Sequence, residues 1–179
     1  MKSKIFLAIL LLTPLVVLFT STLSFQSGLA PKNTKNNGIF FEEYFDATKL
    51  DLIENADSLK FEDGKWLFGT YASEGADLEQ ALYLMKQLNV ALNRDIYKLK
   101  RIIFTQDGAL VKDQLINYPR TEVIIDSQNK LFEKLLQVGD ANFFQEQKIF
   151  IIDPYGRAVM FFPVSMNPKL ILKDLKVLI

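Results

Sequence analysis

The chain has 179 residues, of which 49% are hydrophobic and 23% are charged, a balance typical of a folded protein. It contains no cysteine and no histidine, which excludes thiol nucleophiles, disulfide exchange and metal sites built from thiolate or imidazole. Lys2 and Lys4 are the only charged side chains among the first 30 residues, which leaves 19 basic against 21 acidic side chains in the remainder; this balance argues against a nucleic-acid partner.

The N-terminal segment, residues 1–27, is predicted to be a transmembrane anchor. Residues 5–25 carry no charge, and at about 1.5 Å per helical residue they span roughly 31 Å, which matches a bilayer core. The lysines before this run place the N-terminus in the cytoplasm by the positive-inside rule. We therefore expect a single-pass protein of the inner membrane with a periplasmic domain. The alternative is a cleaved signal peptide, with its cleavage site among the small residues at 20–24.

After the anchor, the polar residues 28–38 predict a linker and residues 39–179 predict one domain. Acidic and aromatic residues alternate irregularly over residues 39–63, which predicts a loosely structured segment with one or two strands. Six of its carboxylates lack the spacing of a calcium-binding loop, so a solvated face is favoured; they are Glu42, Glu43, Asp46, Asp51, Glu54 and Asp57.

The central part of the chain predicts a strand, a long helix and a second strand. Asp63-Gly64 is a hairpin turn signal before an aromatic strand over residues 65–71. Residues 101–105 predict a buried strand that pairs in parallel with it. The helix between them has apolar side chains at steps of three and four, at Leu78, Leu82, Met85, Leu88, Leu92, Ile96 and Leu99.

Next, the turn Asp107-Gly108 precedes a short predicted helix over residues 110–117, and residues 121–125 predict a third strand. Asp126 or Ser127 caps the following helix, and Gly139 suits the position after its end. The apolar face of that helix is predicted to consist of Leu131, Leu135 and Val138.

The C-terminal part predicts a hairpin and a helix. Strands over residues 148–152 and 158–162 flank residues 153–156 (DPYG), which suit a type I turn. Asn167-Pro168 provides a cap and a first-turn proline for the terminal helix. Its buried face is expected to carry Leu170, Leu175 and Leu178.

This order of elements resembles the thioredoxin fold of Sco-type copper chaperones and peroxiredoxins: a central sheet flanked by helices, here with an N-terminal transmembrane helix. Residues 64–67 (GKWL) resemble the strand that opens the Sco-type core. Residues 149–156 (IFIIDPYG) resemble its apolar strand followed by DPxG, and residues 167–178 resemble its final helix.

The chain is most similar in pattern to single-pass, Sco-related proteobacterial proteins associated with cytochrome c oxidase genes. Such proteins combine an anchor containing proline, an N-x-G linker, a strand with tryptophan, a CxxxC pair and an ALY helix. Pro14, Asn37-Gly38, Trp66 and residues 81–83 occupy those places, and Arg101 opens the next strand. The resemblance implies association with an oxidase subunit or with its assembly machinery.

The active-site residues of this family are missing from the chain. Counted back from residues 81–83, the two cysteine positions fall on Glu74 and Leu78. The copper-binding histidine of the family is expected within residues 141–148, where none occurs. The family's cis-proline before the third core strand is also replaced, because Gln147 precedes that strand. The four methionines, Met1, Met85, Met160 and Met166, show no clustered spacing.

We therefore predict a non-catalytic protein without cofactor or metal, which acts through contacts in oxidase assembly. A permanent structural subunit is the first alternative, since adjacent phenylalanines at 40–41, 143–144 and 161–162 could each present one ring outward, unless other elements cover both faces. The second alternative is an enzyme that uses Glu74 and Asp77 beside Tyr71 and Ser73. Ordinary complementation of the helix dipole is, however, the favoured explanation of those two carboxylates.

Overall fold

The computed structural model describes residues 2–26, 36–61, 63–73, 78–139 and 143–179, in two compact units, Met1–Lys35 and Asn36–Ile179. In the first unit, α1 (Lys2–Gln26) is a helix whose segment Lys4–Ser24 is long and apolar enough to cross a membrane. Its threonine hydroxyls bond within the helix, as Thr13 does to the carbonyl of Ile9 at 2.7 Å. The predicted N-terminal helix is confirmed, while anchor and signal peptide stay alternatives because both have this length and composition.

The second unit is built from strands and helices with three short 3₁₀ turns. The described strands are β1 (Ile39–Asp46), β2 (Ile53–Glu54), β3 (Asp57–Ser58), β4 (Trp66–Ala72), β5 (Leu99–Thr105), β6 (Thr121–Ile125), β7 (Lys148–Ile152) and β8 (Arg157–Pro163). The helices are α2 (Leu78–Ala91), α3 (Lys112–Asn117), α4 (Lys130–Val138) and α5 (Pro168–Leu178). The 3₁₀ turns are Ala47–Lys49, Asn93–Lys98 and Gly108–Val111.

The described strands form one mixed sheet in the order β1-β8-β7-β4-β5-β6-β2-β3. Strands β4, β5 and β6 are parallel, whereas β7 is antiparallel to β4 and forms a hairpin with β8. This arrangement confirms the predicted fold class, the parallel strand-helix-strand unit and the C-terminal hairpin. The parallel pairs follow from their connections, because a crossover of a dozen residues or more is needed to return a strand in parallel.

Hydrophobic clusters cover both faces of the sheet. Helices α2 and α5 pack on one face, where Phe162 is buried, and α4 packs on the other, where Phe161 is buried. Of the two alternatives for the phenylalanine pairs, coverage of both faces is therefore the correct one for this pair, since neighbouring strand residues alternate between two covered faces. Phe41 and Phe143 are also buried, and Phe40 and Phe144 are half-buried.

The long helix ends earlier than its apolar period predicts. α2 stops at Ala91, a 3₁₀ turn follows, and Leu99 already belongs to β5. The buried side chain of Asn89 donates hydrogen bonds to the carbonyls of Ile96 and Leu99 at 3.1 and 3.2 Å. This side chain stabilises the turn in place of helical hydrogen bonds, so apolar spacing alone could not locate the helix end.

Two other local predictions are corrected by strand pairing. Gly64 adopts a left-handed φ of 66°, so Asp63-Gly64 is a turn, but β4 pairs with β5 and β7 and β3 pairs with β2, so no hairpin forms there. Residues 39–63 are more ordered than predicted, because β1 pairs with β8 along the sheet edge.

The buried face of α5 is rotated from the predicted one. Ile171, Asp174 and Leu175 are buried, whereas Leu170 is 40% exposed and Leu178 is half-buried. Asn167 and Pro168 start the helix as predicted, with the Asn167 side chain accepting from the Lys169 N–H at 3.0 Å. The apolar positions in the sequence were compatible with two neighbouring buried faces of α5. Packing against α2 determines which of the two is buried.

Candidate functional site

The candidate site lies at the carboxyl ends of the parallel strands β4, β5 and β6. In open α/β sheets this is the edge where ligands and active sites usually lie. An open cavity of about 370 Å³ is present there. Its described lining consists of Tyr71, Ala72, Ser73, Gln106, Asp107, Leu110 and Phe132.

A buried tyrosine and a buried carboxylate join the ends of two strands beside this cavity. Tyr71, only 3% exposed near the end of β4, donates its hydroxyl to Asp126 Oδ2 at 3.0 Å. The N-cap residue of α4 is Asn129 and not Asp126 or Ser127 as predicted, but the backbone N–H of Phe132 in the first turn donates to the same Asp126 oxygen at 3.0 Å. One carboxylate therefore connects β4, β6 and α4.

The other oxygen of Asp126 is buried and has no hydrogen-bond partner among the described residues. Burial, together with the adjacent negative charge of Asp126, raises the pKa of Tyr71 above its ordinary value of about 10. Tyr71 is therefore a neutral hydrogen-bond donor at physiological pH.

Three aromatic rings enclose this hydrogen bond. The ring of Tyr71 contacts Phe132 with centroids 5.4 Å apart and Phe144 with centroids 5.8 Å apart. Phe132 and Phe144 contact each other at 4.4 Å. Such rings exclude water, which strengthens the polar contact they surround.

Gln147 occupies the position before β7 where the resemblance expected a cis-proline. Its side-chain amide donates to the hydroxyl of Thr70 and, at 3.0 Å, to the carbonyl of Tyr71. Thr70 in turn donates to the carbonyl of Lys148 at 2.7 Å. These three bonds tie the segment before β7 to the end of β4 through side chains.

The two positions predicted to correspond to the family's cysteine pair are Glu74 and Leu78. Glu74 lies outside the described residues. Leu78 is the first residue of α2, is 6% exposed and belongs to the hydrophobic core between α2 and the sheet. A leucine at this position contributes to packing and presents no donor atom to the cavity.

The segment expected to carry the family's histidine, residues 141–148, is described from residue 143 onward. Phe143 is buried and packs on Phe41 and Phe161. Lys148 is also buried, with its Nζ atom 5.5 Å from the ring centre of Phe143 and 5.9 Å from that of Phe161. The described part of the segment is thus an aromatic cluster around a cation.

The donors of the cavity do not fit copper, the metal that the resemblance implies. Copper prefers thiolate, thioether and imidazole ligands, whereas Tyr71, Ser73, Gln106 and Asp107 offer hydroxyl, amide and carboxylate oxygens. Met85 and Met160 are fully buried in the core. Within the described ranges no group of three or more carboxylates could hold a metal ion.

The sequence analysis named Tyr71 and Ser73 but missed their neighbours Gln106 and Phe132, and it identified Gln147 only as the residue in place of the cis-proline. The available signal was position, since Gln106 follows β5 directly and Asp126 follows β6. Polar side chains after adjacent parallel strands meet at one edge of the sheet. Gln147 carried no such signal, because its partners are 76 and 77 residues away in the sequence.

Comparison with known proteins supports this fold assignment. A family model described as "Transmembrane-like, thioredoxin-like, C-terminal domain" matches residues 69–179. No curated protein sequence matches the chain.

Three solved structures illustrate the similarity. BsSco, described as "a member of the Sco family of cytochrome c oxidase assembly proteins", has a TM-score of 0.52 and 15% identity, covering 79% of this chain and 95% of that chain. Bradyrhizobium japonicum ScoI with copper bound has a TM-score of 0.50 and 18% identity, covering 79% and 99%. Yeast Sco1 with copper bound has a TM-score of 0.53 and 12% identity, covering 80% and 92%. At these low sequence identities, the structural similarity indicates a shared fold only.

Proposed function

Because the chain belongs to the family of transmembrane-like, thioredoxin-like C-terminal domains, we propose that it is a membrane-anchored accessory protein of cytochrome c oxidase assembly. It acts through protein contacts and has no redox or copper chemistry of its own. The N-terminal helix holds the protein in the inner membrane, with Lys2 and Lys4 in the cytoplasm and the domain in the periplasm.

One observation supports the proposal: the thioredoxin-like fold is present in a chain without cysteine or histidine, and the described residues in or near the segments predicted to carry the family's site have other chemistry. Leu78 is part of the core, Gln147 binds β4 through its side chain, and Phe143 belongs to an aromatic cluster. These residues support a stable scaffold with an open edge, which suits recognition of a partner. The oxidase is proposed as the destination because the structural neighbour BsSco is described as an assembly protein for it.

The cavity is the surface at which we expect this contact. Leu110 on its rim is 45% exposed, and Ser73 and Gln106 beside it provide hydrogen-bonding groups. An exposed apolar side chain among polar groups is a common composition for a contact surface. A charge placed there should therefore weaken partner binding without unfolding the domain.

The test uses the full chain in its host, with deletion and complementation. Deletion should lower assembled oxidase, measured by its haem spectrum in isolated membranes, and the tagged chain should co-purify with oxidase subunits in mild detergent. Leu110→Glu should reduce co-purification at least fivefold. Leu136→Glu, the same change at a 55% exposed leucine outside the cavity lining, is the control and should have no effect.

Two results would oppose the proposal. Normal oxidase in the deletion strain, together with no co-purification, would reject a role in assembly. Loss of function in Glu74→Gln or Asp77→Asn variants that still bind the oxidase would favour the carboxylate enzyme.

The stoichiometry of the purified complex separates a permanent subunit, present at one copy per oxidase, from a substoichiometric assembly factor.

A further inference from the structure

Helix α5 presents a basic face to solvent. Lys169, Lys173 and Lys176 are all exposed and are spaced four and three residues apart, so they lie on one side of the helix. The only acidic residue of α5, Asp174, is buried on the opposite side. None of the three lysines forms an ion pair within the part of the chain that the structure describes.

Apolar side chains accompany these lysines. Leu170 is 40% exposed and Val177 is 75% exposed, so two aliphatic side chains of the same helix face solvent. At the end of the helix, Lys98 donates to an Ile179 oxygen at 3.1 Å but is paired with Asp95 at 2.8 Å, so it adds no net charge to this face. Basic residues interspersed with exposed aliphatic ones are typical of helices that lie on a membrane surface.

The chain between the two compact units ends on this same helix. The backbone N–H groups of Asn37 and Gly38 donate to Asp174 Oδ2 at 2.6 and 2.7 Å, and the Asn37 side chain donates to Oδ1 at 2.8 Å. Nine residues separate α1 from Asn36, and an extended chain gains at most about 3.6 Å per residue. The segment that joins α1 to the residues bound by Asp174 is therefore short, at most about 40 Å when fully extended.

We propose that the exposed face of α5 docks on the anionic lipid surface of the membrane in which α1 is embedded. This inference rests on the membrane anchor of the proposed function and adds a preferred orientation of the domain. Each lysine near an anionic surface contributes about fivefold to the docking equilibrium, so three contribute roughly 100-fold. The short chain keeps the local lipid concentration high, so this modest attraction is sufficient.

The absence of cysteine from the chain makes a single-site probe simple to introduce. Val177→Cys in the full-length protein, labelled with an environment-sensitive fluorophore, is reconstituted into nanodiscs of phosphatidylcholine with or without phosphatidylglycerol. In the anionic discs we expect a blue shift and at least a threefold loss of quenching by iodide. Both effects should disappear at high salt, which screens the attraction.

Matched variants identify the source of the effect. Lys169→Gln, Lys173→Gln and Lys176→Gln together should abolish the protection. The same changes at three exposed lysines elsewhere, Lys49, Lys60 and Lys112, alter the net charge equally and should preserve it. A label at Ile116, which is 78% exposed on α3, should respond equally in both kinds of disc.

The outcomes separate the docking from the anchor. A disc-bound protein whose Val177 label stays accessible in anionic lipid would overturn the docking alone, as would protection that appears only when another protein is added. A protein that does not migrate with the discs would overturn the membrane anchor, and the docking with it.

Discussion

The hydroxyl of Tyr71 and the carboxylate of Asp126 illustrate how much a single buried contact determines at the site. Asp126 Oδ2 accepts from Tyr71 and from the N–H of Phe132, while its other oxygen has no described partner. A buried carboxylate loses its hydration, so every remaining donor matters. The sequence placed Asp126 near the start of α4 as one of two candidate caps, whereas its bond to Tyr71, 55 residues away, was not predicted.

Tyr71→Phe should lower the free energy of unfolding by about 1–3 kcal/mol, because Asp126 then keeps one donor. Urea unfolding of the full chain in mild detergent, followed through the single tryptophan Trp66, measures this loss. Tyr155→Phe is the control, since that side chain is 75% exposed, and it should change stability by less than about 0.5 kcal/mol.

The same variant should also alter the response to alkaline pH. Burial raises the pKa of Tyr71 in the folded state, so above about pH 10 the unfolded chain ionises first and the stability contributed by Tyr71 declines. The stability difference between wild type and Tyr71→Phe should shrink by about 1.4 kcal/mol between pH 9 and pH 11. An unchanged difference would show that the Tyr71 hydroxyl is not desolvated.

At the level of elements, Lys100 holds the small β2–β3 hairpin against the parallel strands. Its Nζ atom lies 3.0 Å from Glu54 Oε1 of β2 and 2.8 Å from Glu122 Oε2 of β6. Burial, followed by the hydrogen bond with Glu54, raises the pKa of Glu122. The alternation of apolar and polar residues predicted neither contact, because β2 lies in the segment that was predicted to be loosely structured.

Lys100→Met should destabilise the domain by about 1–2 kcal/mol at pH 7, since two carboxylates then face each other without a cation. The loss should be smaller at pH 5. Without Lys100 the folded-state pKa of Glu122 rises further, so proton uptake stabilises the folded state as the pH falls through that value. Lys65→Met removes an exposed pair with Asp63 and is expected to cost less than about 0.5 kcal/mol at either pH.

Across the whole domain, Asp174 connects the beginning of the fold to its end. This carboxylate, 2% exposed on the C-terminal helix, accepts three hydrogen bonds from Asn37 and Gly38. The compact unit begins at Asn36, so residues 36–38 of the predicted linker belong to the folded part. The Asn37-Gly38 pair therefore has a structural explanation here, independent of the family resemblance.

Asp174→Asn should lower the free energy of unfolding by about 2 kcal/mol or more, because an amide presents an N–H to donors that need an acceptor. Hydrogen exchange at the Gly38 amide should accelerate in the same variant. Asp95→Asn, at an exposed ion pair with Lys98, serves as the control. Equal effects of the two changes would contradict the role of Asp174.

Local features of the chain were sufficient to predict the parallel strands, the short helix after Asp107-Gly108 and the C-terminal hairpin. The composition alone showed that thiol and imidazole ligands are absent. Each follows from apolar periodicity, turn residues or composition, which act over a few residues. Only the tertiary structure determined the end of α2, the buried face of α5 and the contacts of Tyr71, Gln147 and Asp174. These contacts join groups up to 137 residues apart in the sequence. They stabilise the protein only in the folded state, where packing excludes water from the hydrogen bonds.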